Sequence, residues 1–224
     1  MNQVAPGLWT LHYPLSVLGT NHGRTVTVTR LDSGKLLIHS MAPFTAADIA
    51  AIRAQGEPAW LAEVMLFHDT YAAQGRDAFP GLPFLGPEGF DKVVGFPITP
   101  LLPPPPEWEG QLRVLRLAGA PKVEEHLMLH IPSRTLILAD LIFNFKADEQ
   151  GWNRFFHRHI AGFHRYPGMS RIFKWCVAEK PAFRASLEEA LSWDFDRIIP
   201  GHGEIIESGG KELLRRAMND AGLL

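Results

Sequence analysis

RIIPGHGEII, residues 197–206, is the stretch on which the fold turns. It reads as a short apolar strand, Arg197–Ile199, that runs into the loop Pro200-Gly201-His202-Gly203. Layered α/β folds place functional side chains at strand ends. Glycines on both sides of His202 let the backbone approach a ligand closely. After the loop, Lys211–Ala221 carries Leu213, Leu214, Ala217 and Met218 at helical spacing, which predicts a terminal helix.

Working outward, the same grammar recurs. Glu124–Ile131 and Thr135–Ala139 flank Pro132-Ser133-Arg134 and predict a hairpin that ends in Asp140. If its turn centres on Pro132-Ser133, paired residues sum to about 265 in antiparallel registry. Glu125 then lies opposite Asp140 and His126 opposite Ala139, while His130 sits near the turn. Ala62–Phe67 predicts a strand that runs into His68-Asp69. Near the N-terminus, Leu8–Tyr13 is a strand candidate. TVTVTRL (25–31) alternates with period two, DSG (32–34) is turn chemistry, and KLLIH (35–39) answers it as a second hairpin. Thr45 predicts an N-cap for a short helix, Ala46–Gln55, that Gly56 ends. Pro181–Ser192 predicts a helix with Phe183, Leu187, Ala190 and Leu191 inward, and Gln150–His164 reads as helical. Pro103–Pro106 predicts a stiff polyproline connection.

Composition narrows the functional classes. The 224 residues carry 22 Lys+Arg against 24 Asp+Glu, a net charge of −2. That disfavours a strongly basic nucleic-acid binder. The length suits one domain, residues 1–224. No apolar run reaches the roughly 18 residues of a membrane span. The first residues lack a basic and apolar leader, so the expected setting is cytoplasmic, with neither membrane nor nucleic acid as partner. The single cysteine, Cys176, lies in an apolar stretch and is expected to be buried; it excludes a disulfide framework and an all-Cys zinc site. Ten histidines leave a His/carboxylate metal site open. No P-loop, dinucleotide fingerprint, nucleophile elbow or H-E-x-x-H run is present.

The hairpin TVTVTRLDSGKLLIHS, the segments LFH and HIPSRTLILADLIF, and RIIPGHGEII before a terminal helix together resemble the metallo-β-lactamase-like superfamily over essentially the whole chain. The resemblance implies an α/β fold, an αββα four-layer sandwich, and a pocket around His68, Asp140 and His202. It also exposes losses. The family's H-x-H-x-D-H motif corresponds to His68-Asp69-Thr70-Tyr71-Ala72-Ala73, in which Thr70, Ala72 and Ala73 replace three ligands. The next histidine ligand has no counterpart near Pro121, and His39 replaces an acid at an early strand end. The implied reading is a divergent relative that has lost most of a binuclear site, a non-classical or metal-free pocket protein that uses the pocket to bind an unidentified small molecule or only for packing. The alternative is a mononuclear metal-dependent hydrolase with a single zinc, iron or manganese on His68, Asp140 and His202, in which Asp140 and His202 are the catalytic pair. His39, Glu125 and His126 are outside candidates for a further ligand.

The segment 150–165 offers a basic surface from Arg154, His157, Arg158, His159, His164 and Arg165. His12 and His22 have no partners that the sequence names.

Overall fold

Thirteen strands and seven helices are described in a computed structural model that covers residues 1–146, 150–163 and 165–224. The strands are β1 (Asn2–Ala5), β2 (Leu8–Tyr13), β3 (Ser16–Val17), β4 (Thr20–Asn21), β5 (Arg24–Arg30), β6 (Lys35–His39), β7 (Glu57–Ala62), β8 (Phe84–Gly86), β9 (Thr99–Pro100), β10 (Leu112–Arg116), β11 (His126–His130), β12 (Thr135–Ile137) and β13 (Arg197–Ile199). The helices are α1 (Ala46–Arg53), α2 (Ala72–Ala78), α3 (Phe90–Val94), α4 (Gly151–Phe155), α5 (Arg171–Cys176), α6 (Lys180–Ser192) and α7 (Gly210–Ala221). A wide helical turn, Phe156–Ile160, continues α4.

The first sheet has the order β1-β2-β5-β6-β7-β8-β9 and the second β10-β11-β12-β13. The alternation in β5 sorts its side chains between two covered faces. Val26 and Val28 join Ile52 of α1 and Phe90 of α3 in a cluster on the outer face of the first sheet. The threonines between them are buried on the other face, where the sheet meets the rest of the sandwich. A larger cluster ties Leu37 and Trp60 of the first sheet to Leu127 and Leu136 of the second, and to Leu187 of α6 and Leu214 of α7. Helices therefore cover the outer faces of two sheets packed face to face, the expected four layers.

Two pairings build the functional end. The hairpin register is the expected one: Met128 faces Ile137, Leu129 faces Leu136 and His130 faces Thr135. β12 then runs parallel to β13, with Ile137 beside Ile199. Three residues beyond that pair stand Asp140 on one strand and His202 on the other. Parallel neighbours with equal offsets must present these two side chains at the same edge. β6 and β7 are also parallel, with His39 beside Ala62, so the chain after each of them emerges together.

Some boundaries differ from the sequence reading. The strand expected over Ala62–Phe67 lies earlier, at Glu57–Ala62. Val64 and Met65 are apolar because they plug the core as the chain leaves the sheet; Leu66 N–H donates to the Val123 carbonyl of another segment. The capped helix appears as expected, with Thr45 and Asp48 exchanging backbone and side-chain bonds in a capping box. The proline run leads into a short turn that buries Trp108. Cys176 is partly exposed, not buried, because it sits at the last turn of a surface helix.

Candidate metal centre

Three side chains meet where the strand ends converge. His68 and His202 both direct Nε2 at Asp140 Oδ1, at 3.3 and 3.2 Å. The donor atoms of all three lie within 4.8 Å of one another. Four ligands about 2.0–2.2 Å from a tetrahedral ion stand roughly 3.4 Å apart. The two separations are close to that edge, so the donor set allows one divalent ion, although the His68–Asp140 contact is equally a hydrogen bond.

An oxygen stands behind each imidazole, hydrogen-bonded at His202 and in ion-pair contact without a hydrogen bond at His68. His202 Nδ1–H donates to the Gly23 carbonyl at 2.6 Å. That bond leaves Nε2 as the ring atom that faces the centre. His68 Nδ1 faces Glu63 Oε2 at 3.4 Å. Glu63 is fully buried and is itself held: its Oε1 accepts the Met41 amide at 2.6 Å and lies 3.4 Å from Arg24. Arg24, also buried, donates to the carbonyls of Met41 and His68. Burial works against a charged Glu63, but Arg24 and then His68 outweigh it and hold its pKa below the ordinary value. Burial likewise opposes charge on Asp140, yet His68 and His202 bring its pKa well below the carboxylate range. For His68, burial and Arg24 push the pKa down; Asp140 and Glu63 prevail and leave it raised.

Glu125 and His126 stand where the register put them but are not part of the cluster. The buried Glu125 carboxylate accepts the backbone amides of Ala139, Asp140 and Leu141 at 2.9, 3.1 and 3.1 Å. Its lone pairs are spent on shaping the loop that carries Asp140. Burial and the Asp140 charge push its pKa up to about 8, against those three donors. His126 Nδ1–H donates to the Glu124 carbonyl, and the ring lines a separate cavity of about 890 Å³ beside Arg116 and Phe96. His39 is buried behind the centre, and neither ring nitrogen has a hydrogen-bond partner. Burial pushes its pKa down to about 3. His130 is near its turn, as expected, bonded to Ser133.

One wall is aromatic. His22, without an expected partner, packs edge-on against His202, Phe143, Phe145, Phe156 and His157, and its Nε2 lies 2.8 Å from Thr20 Oγ1. Phe143 lies parallel to the His202 ring at 5.4 Å. His157 is buried and stacked on Phe145 at 4.2 Å, so it leaves the exposed basic surface to Arg154, Arg158 and His159, while Arg165 is exposed but paired with Asp220. His164, assigned to the same surface, lies outside the described residues. His12 Nδ1 lies 3.4 Å from Thr25 Oγ1, and the ring lines a shallow pocket with Gly203 and Glu204.

Glu63 and Arg24 were invisible to sequence reading. Glu63 fell inside the misplaced strand, and Arg24 sits one residue before the alternating run.

No family profile matches the sequence, and no curated protein does. Solved structures do. A metallo-β-lactamase from Erythrobacter litoralis aligns with a TM-score of 0.69 at 13% identity, covering 100% of this chain and 96% of that one. The chain has the metallo-β-lactamase fold. One from Pontibacter korlensis aligns at 0.65 with 10% identity over 99% and 97% of the two chains. The mono-zinc form of FIM-1 from Pseudomonas aeruginosa aligns at 0.63 with 10% identity over 100% and 96%. Within this fold the His-Asp-His group allows a divalent metal.

Proposed function

We propose that the protein is a metal-dependent hydrolase that works with a single divalent ion, zinc, iron or manganese, held by His68, Asp140 and His202. One observation carries this reading. Two imidazoles, each with its Nδ1 turned to an oxygen behind it, aim Nε2 at the same carboxylate oxygen at tetrahedral-edge distance. A bound ion supplies Lewis acidity and lowers the pKa of water at a position the three protein ligands leave open.

The chain's own residues do the rest. Asp140, the most exposed of the three, meets the solvent side and orients the water that attacks. Glu125 fixes the loop that carries it. Glu63 and Arg24 keep the His68 ring from turning. The His22 and Phe143 rings pack against His202 and give the centre one aromatic wall.

Thr70, Ala72 and Ala73 favour a second reading, a metal-free fold that binds a small molecule in this pocket. The metal content of protein purified without a histidine tag separates the two. About one equivalent of zinc, iron or manganese, lost in His202→Ala, is the expected result. A native protein that holds none, and gains none on soaking with each of these ions, sinks the hydrolase reading.

A further inference from the structure

Residues 150–178 contain no Asp or Glu, five Lys and Arg, and seven Phe, Trp and Tyr. All 24 acidic residues of the chain lie elsewhere, with 17 of its 22 Lys and Arg. The near-zero net charge thus hides one cationic segment on an otherwise acidic protein. Interior packing explains part of its apolar content: Phe156 and Phe163 are buried in a cluster of their own beside His22 and His202. It leaves the outer layer unexplained. Trp152 and Phe155 are each half exposed, and Trp175 is 74% exposed. Ile160 and Ile172 are exposed as well.

These groups form a continuous strip. Leu18, 74% exposed at the tip of the β3–β4 hairpin, offers its carbonyl to Trp152 Nε1 at 3.0 Å. Trp152 stacks on Phe155 at 5.6 Å, and Phe155 meets His159 at 5.0 Å. Arg171 then donates to the His159 carbonyl at 3.2 Å and leads through Ile172 to Trp175. Arg154, Arg158, Arg171 and Lys174 are exposed along it.

Exposed aromatic and aliphatic side chains interleaved with Arg and Lys form the chemistry of interfacial attachment to a bilayer; the one acid beside Lys174 and Trp175, Asp220, is paired with Arg165. Indole and phenyl rings partition to the headgroup level. Guanidinium and ammonium groups meet anionic headgroups and need no pocket. A nucleic acid would use the cations and the rings, but it offers nothing to Leu18, Ile160 and Ile172. We propose that this strip docks the protein peripherally on an anionic lipid surface. No helix is long and apolar enough to cross a membrane among the described residues, so the attachment is lateral. The inner side of the same segment packs against His22, and docking therefore sets the centre beside the lipid surface. This proposal stands whether or not the centre holds metal.

The test is flotation of the full-length protein with phosphatidylcholine vesicles containing about one third phosphatidylglycerol, against pure phosphatidylcholine vesicles. Binding to the anionic vesicles, weakened at least tenfold by raised salt or by pure phosphatidylcholine, is expected. Leu18→Glu combined with Trp175→Glu removes the apolar part, and Arg158→Glu with Lys174→Glu the charged part. Each pair is expected to reduce binding at least tenfold while circular dichroism and thermal midpoint stay near the parent's. Absence of binding by the folded parent overturns the proposal. So does binding that neither pair of substitutions affects, or binding to a single-stranded oligonucleotide that survives the apolar substitutions and exceeds that to vesicles.

Discussion

Glu63 decides how His68 is presented. Its carboxylate is the only described negative partner of the buried Arg24 guanidinium, and it backs the His68 ring. A buried ion pair contributes little relative to apolar residues of the same shape, but breaking one member leaves an uncompensated charge. Glu63→Gln is therefore expected to cost about 3 kcal/mol or more in urea unfolding. It is also expected to weaken zinc affinity roughly 10–100-fold, the usual effect of losing a group behind a ligand. Arg24→Met with Glu63→Gln is expected to recover the stability lost to the unpaired guanidinium, because the Gln oxygen still accepts the Met41 amide, and none of the affinity. A single substitution that leaves both quantities unchanged would show that the pair does not position the ring. This residue escaped sequence reading for a physical reason. In Ala62–Phe67 an acid among apolar residues carries no sign that a partner 39 positions upstream neutralises it.

At the scale of elements, β12 and β13 were legible because each is a short apolar run followed by a polar residue, Asp140 or His202, and these lie equally far past the paired Ile137 and Ile199. Parallel pairing turns that into a shared site. The hairpin register was legible for a similar reason: a compact turn leaves little freedom to slip. The β7 boundary was not, since residues that plug a core and residues that pair in a sheet are equally apolar. Nor could the register say what Glu125 does once opposite Asp140. The structure gives it three amides to hold, all from the loop after β12. A buried N–H left without an acceptor costs about 1–3 kcal/mol. Glu125→Leu is expected to lower unfolding free energy by about 3 kcal/mol or more and to loosen the loop. Slowed amide exchange at Ala139–Leu141 in the parent, lost in the variant, is the measurement. A loss below about 1 kcal/mol would mean the loop finds other acceptors.

For the whole molecule, pH reports how completely the sandwich encloses its histidines. His130, between β10 and β12 and remote from the centre, is 2% exposed, and burial lowers its pKa to about 4 from 6.5. Its folded pKa is below the unfolded one, so the unfolded chain binds the extra proton between those values. The stabilising contribution is fully present above about pH 6.5 and is lost as pH falls through about 4. By linkage, at pH 4.5 this single group costs about 2.5 kcal/mol relative to pH 7. The four-layer packing imposes that cost, since every residue of β11 is buried and His130 meets only a surface pocket at its end. His130→Gln keeps a polar partner for Ser133 and removes the titration. Urea unfolding of parent and variant at pH 7.0 and 4.5 is expected to show the parent losing about 2–3 kcal/mol more than the variant on acidification. Equal losses would mean that the end of β11 opens to solvent well below the energy of global unfolding.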